Sequence, residues 1–270
     1  AAKPDLWVHP LAAATRGLRG TELAEYGMMK RAGAKAVSTG RDWIADSGVM
    51  MKALAYAGSL GLTFISHGED GGVTANAVAT SGETATRNGL PSAPAMAEAM
   101  AVARDIALVR ETGARLHFRQ VTTKAALDLI RAAKAEGLPV TCGVAPTHIH
   151  LSDNALADFR TFTRLSPPLR CENDRLAVRA ALADGTIDVI TSAHDPRGPE
   201  AKRLPFADAE PGAAGAETLL ALSLGLVRDE LMSIDRLFDL LARNPARLLG
   251  LDCGAIASGA PADLILFDPD

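Results

Sequence analysis

Short aliphatic runs alternate with helical patterns six times along this chain, and a fold built that way has few solutions. The runs at 6–11, 34–38, 62–66, 116–121, 138–144 and 187–193 are five to seven residues long. That length and composition predict strands buried on both faces. Between them, 21–31, 49–58, 93–112, 123–136 and 172–184 carry helical patterns. The clearest is 123–136, where Ala126, Leu127, Ile130 and Ala133 share a face, Thr123 can cap the start and Gly137 follows the end. Strands joined by helices in series predict a parallel sheet, because each crossover between parallel strands needs a long connection. Only 4% of the residues are aromatic, so the core must be aliphatic and rich in alanine.

Two architectures compete, an open doubly wound sheet and a closed (β/α)8 barrel. No Gly-x-Gly-x-x-Gly follows a strand, which removes the best signature of a dinucleotide fold. The placement of polar residues favours the barrel. His67, Glu69 and Asp70 follow the third strand, His117 and Gln120 lie on the fourth, His148 and His150 follow the fifth, and His194 and Asp195 follow the sixth. Barrel enzymes build their sites from such residues at the C-terminal ends of strands. The expected class is therefore α/β, a TIM-type (β/α)8 barrel. It would occupy 1–250 as strands three to eight and lack the first two.

After Gly215 the pattern turns helical at 216–227, 233–242 and 244–249, with Ser233 as a helix cap. The stretch 251–270 reads as turns and then a strand at 263–267, expected to be part of a small C-terminal β-sandwich. A lone strand needs a partner, and six barrel strands leave edges open. The 270 residues are accordingly expected to be a fragment.

Net charge is −4, with no cluster of Lys and Arg, which argues against a nucleic-acid or membrane surface. No apolar run is long enough for a membrane helix. Cys142, Cys171 and Cys253 are odd in number and far apart, which fits a reducing, cytoplasmic compartment.

The histidines at the strand ends can be a hydrolytic metal site, which needs nitrogen and carboxylate donors around a position left for water, or an ordinary polar rim. The Glu69–Asp70 pair can be ligand, support or solvated loop. Arg170, after Pro167 and Pro168, can meet an anion or sit on a rigid loop.

The motifs carry a resemblance. Gly185-Thr-Ile-Asp-Val-Ile-Thr-Ser-Ala-His-Asp-Pro196 resembles the dihydroorotase segment ending in Asp-His-Ala-Pro. Ser166-Pro-Pro-Leu-Arg170 resembles that family's Asn-Pro-Pro-Leu-Arg, and His67-Gly-Glu-Asp70 its His-Cys-Glu-Asp. Leu116-His-Phe-Arg-Gln-Val-Thr-Thr123 resembles Leu-His-Ile-x-His-Val-Ser-Thr. Asn244-Pro-Ala-Arg and Gly259-Ala-Pro-Ala-Asp-Leu-Ile-Leu-Phe-Asp268 resemble its closing segments. The likeness runs in order over nearly the whole chain, to the long-chain dihydroorotase branch of the cyclic amidohydrolases. Allantoinases and hydantoinases are relatives of that branch.

The resemblance implies a barrel holding one or two zinc ions and the cyclisation of N-carbamoyl-L-aspartate to dihydroorotate in pyrimidine biosynthesis. It also implies which positions hold the metal, and most are altered. His67 matches a metal-ligand histidine and is the one clear ligand kept, as a vestige. The second ligand histidine is Gln120, a poor zinc ligand. The aspartate that binds metal and moves the proton is Ala193, so no catalytic residue is assigned. General acid–base catalysis alone contributes on the order of 10²–10⁴ in rate. Asp195 is a weak substitute, because two residues along a strand is about 7 Å. A bridging ligand falls near Thr39 and Gly40, with Asp42 a nearby carboxylate. The substrate asparagine is Ser166, and Arg170 and Arg197 are the other substrate-binding candidates. His148 is a candidate to support the ligands from behind, His117 and His194 to serve packing and hydrogen bonding, and His150 and His9 have no evident role. The paired His-x-His of the first strand would precede Ala1.

Two expectations follow. In one, the chain is a non-catalytic dihydroorotase-like protein with zinc absent or weakly held. It would be oligomeric, a scaffold or regulatory partner of aspartate carbamoyltransferase, with which some inactive dihydroorotase-like chains assemble. In the other, it is an active cyclic-amide hydrolase with an altered metal site.

Overall fold

The computed structural model describes residues 6–268. Six short strands form one sheet in which each neighbour is the next strand along the main repeat, and every pairing is parallel. They are β1 (Ala12–Ala13), β2 (Ala36–Ser38), β3 (Thr63–Ser66), then β6 (Leu116–Phe118), β7 (Val140–Val144) and β8 (Val189–Ile190). Between β3 and β6 the chain makes an excursion, where β4 (Ala79–Thr80) and β5 (Ser92–Ala93) pair with each other in a separate parallel ladder. Register is fixed by burial. Phe64 pairs with Leu116, which pairs in turn with Val140, and all three are buried. A slip of one residue would turn each of them to the other face of the sheet.

Helices return the chain between strands: α1 (Tyr26–Arg31), α2 (Ser47–Ser59), α3 (Glu83–Arg87), α4 (Met96–Thr112), α5 (Lys124–Ala135), α6 (Pro146–His150) and α7 (Glu172–Ala183). After β8 come α8 (Pro199–Lys202), α9 (Leu219–Arg228), α10 (Ile234–Phe238) and α11 (Asn244–Leu249). Helices α2, α4, α5 and α7 pack side by side against the sheet. The core between the layers is aliphatic, with Leu54, Leu116, Leu127, Ile130 and Leu182 almost fully buried and alanines filling the close approaches. Each such large side chain contributes about 1.5–3 kcal/mol by leaving water. Start signals act as expected: Thr123 Oγ1 accepts from Ala126 N at 3.3 Å, and Ser233 Oγ from Arg236 N at 3.2 Å.

Four expectations need correction. The first strand is not at 6–11. Leu6, Trp7 and Val8 are 67%, 73% and 66% exposed, and the sheet begins at Ala12, which is small enough to sit flush on β2. Helix α1 starts at Tyr26 because the preceding residues fold back on the first strand, with Arg16 N donating to Glu22 O and Ala24 N to Ala14 O. The helix expected over 233–242 ends at Phe238 and continues as a π-helical turn, Asp239–Arg243. No strand forms at 263–267, which has no neighbouring strand to bond to among the described residues. That stretch is held instead by Trp7 Nε1 donating to Asp263 Oδ2 at 3.0 Å and by Phe267 packing on Phe238. No described helix is long and apolar enough to cross a membrane.

Candidate active site

Because all six strands run the same way, the residues that follow β3, β6, β7 and β8 emerge at one edge of the sheet. There they surround a cavity of about 400 Å³, whose lining includes Arg41, Arg119, Gln120, His148, Ser166 and Ala193. An adjoining space of about 190 Å³ shares Arg41, Leu165 and Ser166 with it and adds Asp42, His67, Glu69 and Arg164. A second apolar cluster, with Leu156, Leu165, Leu169 and Phe206, lies beneath β4 and supports the loops over the strand ends. On the far side, the loop after β8 is pinned by Asp195 N donating to Ala213 O at 2.9 Å. A Cβ at Gly215 would stand 2.1 Å from Ser192 O, so only glycine permits that close approach.

A buried ionic cluster lies behind the smaller space. The Arg170 guanidinium is 3% exposed and spends its donors on Thr122 Oγ1 (2.9 Å), Thr80 Oγ1 (3.0 Å), Glu69 Oε1 (2.8 Å) and Glu98 Oε2 (3.3 Å). Glu98, on α4, also accepts from the backbone N–H groups of Thr122 and Thr123 and from both hydroxyls. His67 Nε2 stands 3.7 Å from Glu69 Oε2, an ion-pair distance rather than a good hydrogen bond. Burial would raise the Glu69 pKa, but the contact with His67 and the Arg170 charge outweigh it and hold the carboxyl at about 2. Arg170 thus joins β4, α4 and the β3 loop, and it lines neither space. That answers the question left open by its Pro-Pro neighbours: it is neither a surface arginine nor free for an anion.

The other expected residues fall as follows. Ser166 lines both spaces. Arg197 lines neither: its Nε donates to Pro211 O at 2.8 Å, and its charge is shared between Asp195 (3.2 Å) and Glu210 (3.2 Å). Asp195 lines the larger cavity but is held by Arg197 and, in a close pair, by Arg41. His148 donates from Nε2 to Pro167 O at 3.0 Å and accepts at Nδ1 from Thr147 Oγ1 at 3.3 Å. Burial pushes its pKa down to about 4, and with both ring nitrogens engaged it is a wall rather than a ligand. His117 bonds through Nδ1 to Thr141 Oγ1 at 2.9 Å. His194 Nδ1 accepts from Gly215 N and Ala216 N. His150 Nε2 donates to Leu222 O at 2.9 Å, which ties α6 to α9.

Among the buried polar atoms at the two spaces that have no hydrogen-bond partner, His67 Nδ1 and Gln120 Oε1 are those able to offer a lone pair, whereas Arg119 Nε and Arg164 Nε are donors. A hydrolytic zinc site takes three protein donors plus water. This chain offers one imidazole nitrogen and one neutral amide oxygen. Ala193 has no donor atom, and no group of three or more His, Cys, Asp or Glu side chains converges among the described residues. The residues present do not fit zinc, and Asp42 does not complete a set. The sequence reading passed over Arg119 and Glu98. The available signal was a charged residue inside a run read as buried strand, and another on the apolar start of a helix.

The parallel sheet, the helices on its face and the polar groups at the strand ends are those of an α/β barrel, and the chain belongs to the amidohydrolase family, whose model matches residues 12–270. Among individual relatives it is 44% identical over 263 residues to a dihydroorotase of Desulforapulum autotrophicum, covering 97% of this chain and 62% of that protein. It is 40% identical over 262 residues, with the same coverage, to a dihydroorotase-like protein of Pseudomonas aeruginosa. An L-hydantoinase (dihydropyrimidinase) structure from Arthrobacter aurescens superimposes with a TM-score of 0.78 at 23% identity, over 93% of this chain and 58% of that one. The chain therefore spans 62% of the length of the curated relatives it matches.

Proposed function

We propose that this dihydroorotase-like amidohydrolase of pyrimidine metabolism does not catalyse ring opening or closure at this cavity. In this reading it is a non-catalytic scaffold or regulatory partner of aspartate carbamoyltransferase. The observation that carries the reading is Ala193. At the end of β8, where the family resemblance places a metal-binding, proton-moving aspartate, the side chain is a methyl group, and the nearest carboxylate, Asp195, is neutralised by Arg41 and Arg197. No free carboxylate is left there to carry a proton between substrate amide and water, and Gln120 stands where the resemblance places the second ligand histidine. The partner is the one the resemblance implies.

The orphaned His67 Nδ1 and Gln120 Oε1 favour a second reading, an active zinc-dependent cyclic-amide hydrolase with a reduced donor set. One experiment separates the two. Zinc content by elemental analysis and dihydroorotate hydrolysis are measured on the longest natural form of the protein, with and without the transcarbamoylase from the same source. The expected result is sub-stoichiometric zinc, no turnover and co-elution with the transcarbamoylase. Stoichiometric zinc with turnover overturns the non-catalytic reading, and separate elution overturns the partnership.

A further inference from the structure

Asn244-Pro-Ala-Arg247, on α11, lies at the edge of the sheet where the strands begin, opposite the spaces around Ser166 and His67. Three of its residues have structural work. Asn244 Nδ2 donates to Asp188 O at 2.9 Å, Pro245 stands in the first turn, where a missing N–H is tolerated, and Ala246 is buried. Arg247 has none: it is exposed, and among the described residues its side chain has neither an ion pair nor a hydrogen bond. Thr63 Oγ1 donates to Leu248 O at 2.9 Å, so α11 is fastened to β3 as well as to β8, and two cavities open beside it. One, of about 320 Å³, is walled by Leu116, Leu138, Val140 and Val189 at the strand starts, with Arg247 also lining it. The other, of about 290 Å³, shares Thr63, Arg115 and Leu248 with the first and adds Lys30 and Lys35.

Charge at this edge is one-sided. Lys30 Nζ donates to Leu60 O at 2.6 Å and Arg115 Nη2 to Gly61 O, so both cations are fixed on neutral carbonyls. Lys35 is half-buried, and its ammonium has no partner among the described residues. The one carboxylate among the described residues that line either cavity is Asp188, and it is spent on Lys134 at 2.7 Å and on Cys142 N at 2.8 Å. A single exposed lysine needs no counter-charge, but four cations converging on a walled hollow raise a positive potential that favours an anion.

We propose that the two cavities form one binding site for a small phosphate monoester, its phosphate met by Arg115 with Lys35 and Arg247, and its uncharged body seated in the apolar hollow. Guanidinium forks and ammonium point charges together suit a dianion with three free oxygens, and a monoanionic carboxylate would leave most of this positive charge unmatched. The apolar walls explain why bare phosphate is not the best fit, since sites for small molecules pair a few polar groups with a mostly apolar lining. The site lies at the other end of the strands from Ser166 and His67, so its ligand does not compete with one held there. The inference goes beyond the role proposed above and does not depend on it.

The test is calorimetric titration of the longest natural form of the protein with three probes: phenyl phosphate, inorganic phosphate and benzoate. Phenyl phosphate is expected to bind tightest, and more weakly as salt is raised. Lys35→Gln and Arg247→Gln are each expected to weaken it at least fivefold, while the ligand-free variants melt with the wild type, since neither side chain has a partner to lose. Arg247→Lys, which keeps the charge, retains most of the binding and guards against a folding artefact. Lys52→Gln, which removes the same charge from an exposed position on α2, is expected to change nothing. N-carbamoyl-L-aspartate, which the family resemblance places at the strand ends, is expected not to displace phenyl phosphate. No binding of phenyl phosphate, binding undiminished in both Lys35→Gln and Arg247→Gln, an equal loss in Lys52→Gln, or displacement by N-carbamoyl-L-aspartate overturns the site. Inorganic phosphate or benzoate binding as tightly as phenyl phosphate overturns the assigned ligand class.

Discussion

At Ala193 the backbone takes φ +46°, a left-handed conformation that costs a β-carbon residue about 1–2 kcal/mol and that Asp and Asn tolerate better than alanine. The loop after β8 thus holds at Ala193 a backbone conformation better suited to aspartate than to alanine. Ala193→Gly should raise stability by about 1 kcal/mol in urea denaturation, and a loss of stability would show that the alanine methyl packs in a way that offsets its strain. Arg170 lies at the other extreme. Replacing it by leucine leaves Glu69 and Glu98 buried without their counter-charge and should cost about 3–5 kcal/mol by the same measurement. A loss below about 1 kcal/mol would mean that water reaches the pair. Of the residues the sequence motifs singled out, Ser166, Gln120 and Ala193 line the larger cavity and His67 the adjoining space, because motif order along parallel strands maps onto one edge. They did not disclose that Arg170 and Arg197 are consumed by Glu69, Glu98, Asp195 and Glu210. Glu69 and Glu98 reach Arg170 from segments far along the chain, and ion pairing between distant segments leaves no local pattern.

At the scale of elements, what could be read was what hydrophobicity dictates. Five of the six sheet strands coincide with long aliphatic runs, while β1 is written in alanine, which signals a strand poorly, beside a more apolar run at 6–11 that stays exposed. The two-residue strands β4 and β5 are too short to show periodicity at all. The start of α5 was legible, yet its cap does more than the pattern implied. Thr123 Oγ1 accepts from Ala126 N and donates to Glu98 Oε1 at 2.8 Å, so one hydroxyl both opens α5 and ties it to α4. Thr123→Ala should therefore cost about 2 kcal/mol, toward the upper end for a helix cap. Thr123→Ser should recover most of it, and a Ser variant as unstable as Ala would shift the credit to the threonine methyl.

Over the whole molecule, acid acts on the same site that organises the loops. Burial depresses His148 to about 4 and His117 to about 3 from the ordinary 6.5, with the Lys134 charge adding to the effect at His117. Below pH 6.5 the unfolded chain takes up protons that the folded chain refuses, so both histidines favour unfolding as the pH falls. Their contribution is complete above 6.5 and is lost progressively down to about 4 for His148 and about 3 for His117. Glu69, depressed from 4.5 to about 2, is complete above 4.5 and is lost as pH falls toward 2. The three windows overlap, so stability should decline continuously from pH 6.5 toward 2 with no acid plateau. Between pH 6.5 and 5 the two histidines give a fall on the order of 2–4 kcal/mol. Equilibrium denaturation at half-unit pH steps measures this directly. His117→Gln, which keeps a hydrogen-bonding group for Thr141 and cannot titrate, should remove about half of the slope in that interval. A profile flat from pH 7 to 5 would mean that the folded protein admits the protons, and hence that water already reaches the floor of the barrel.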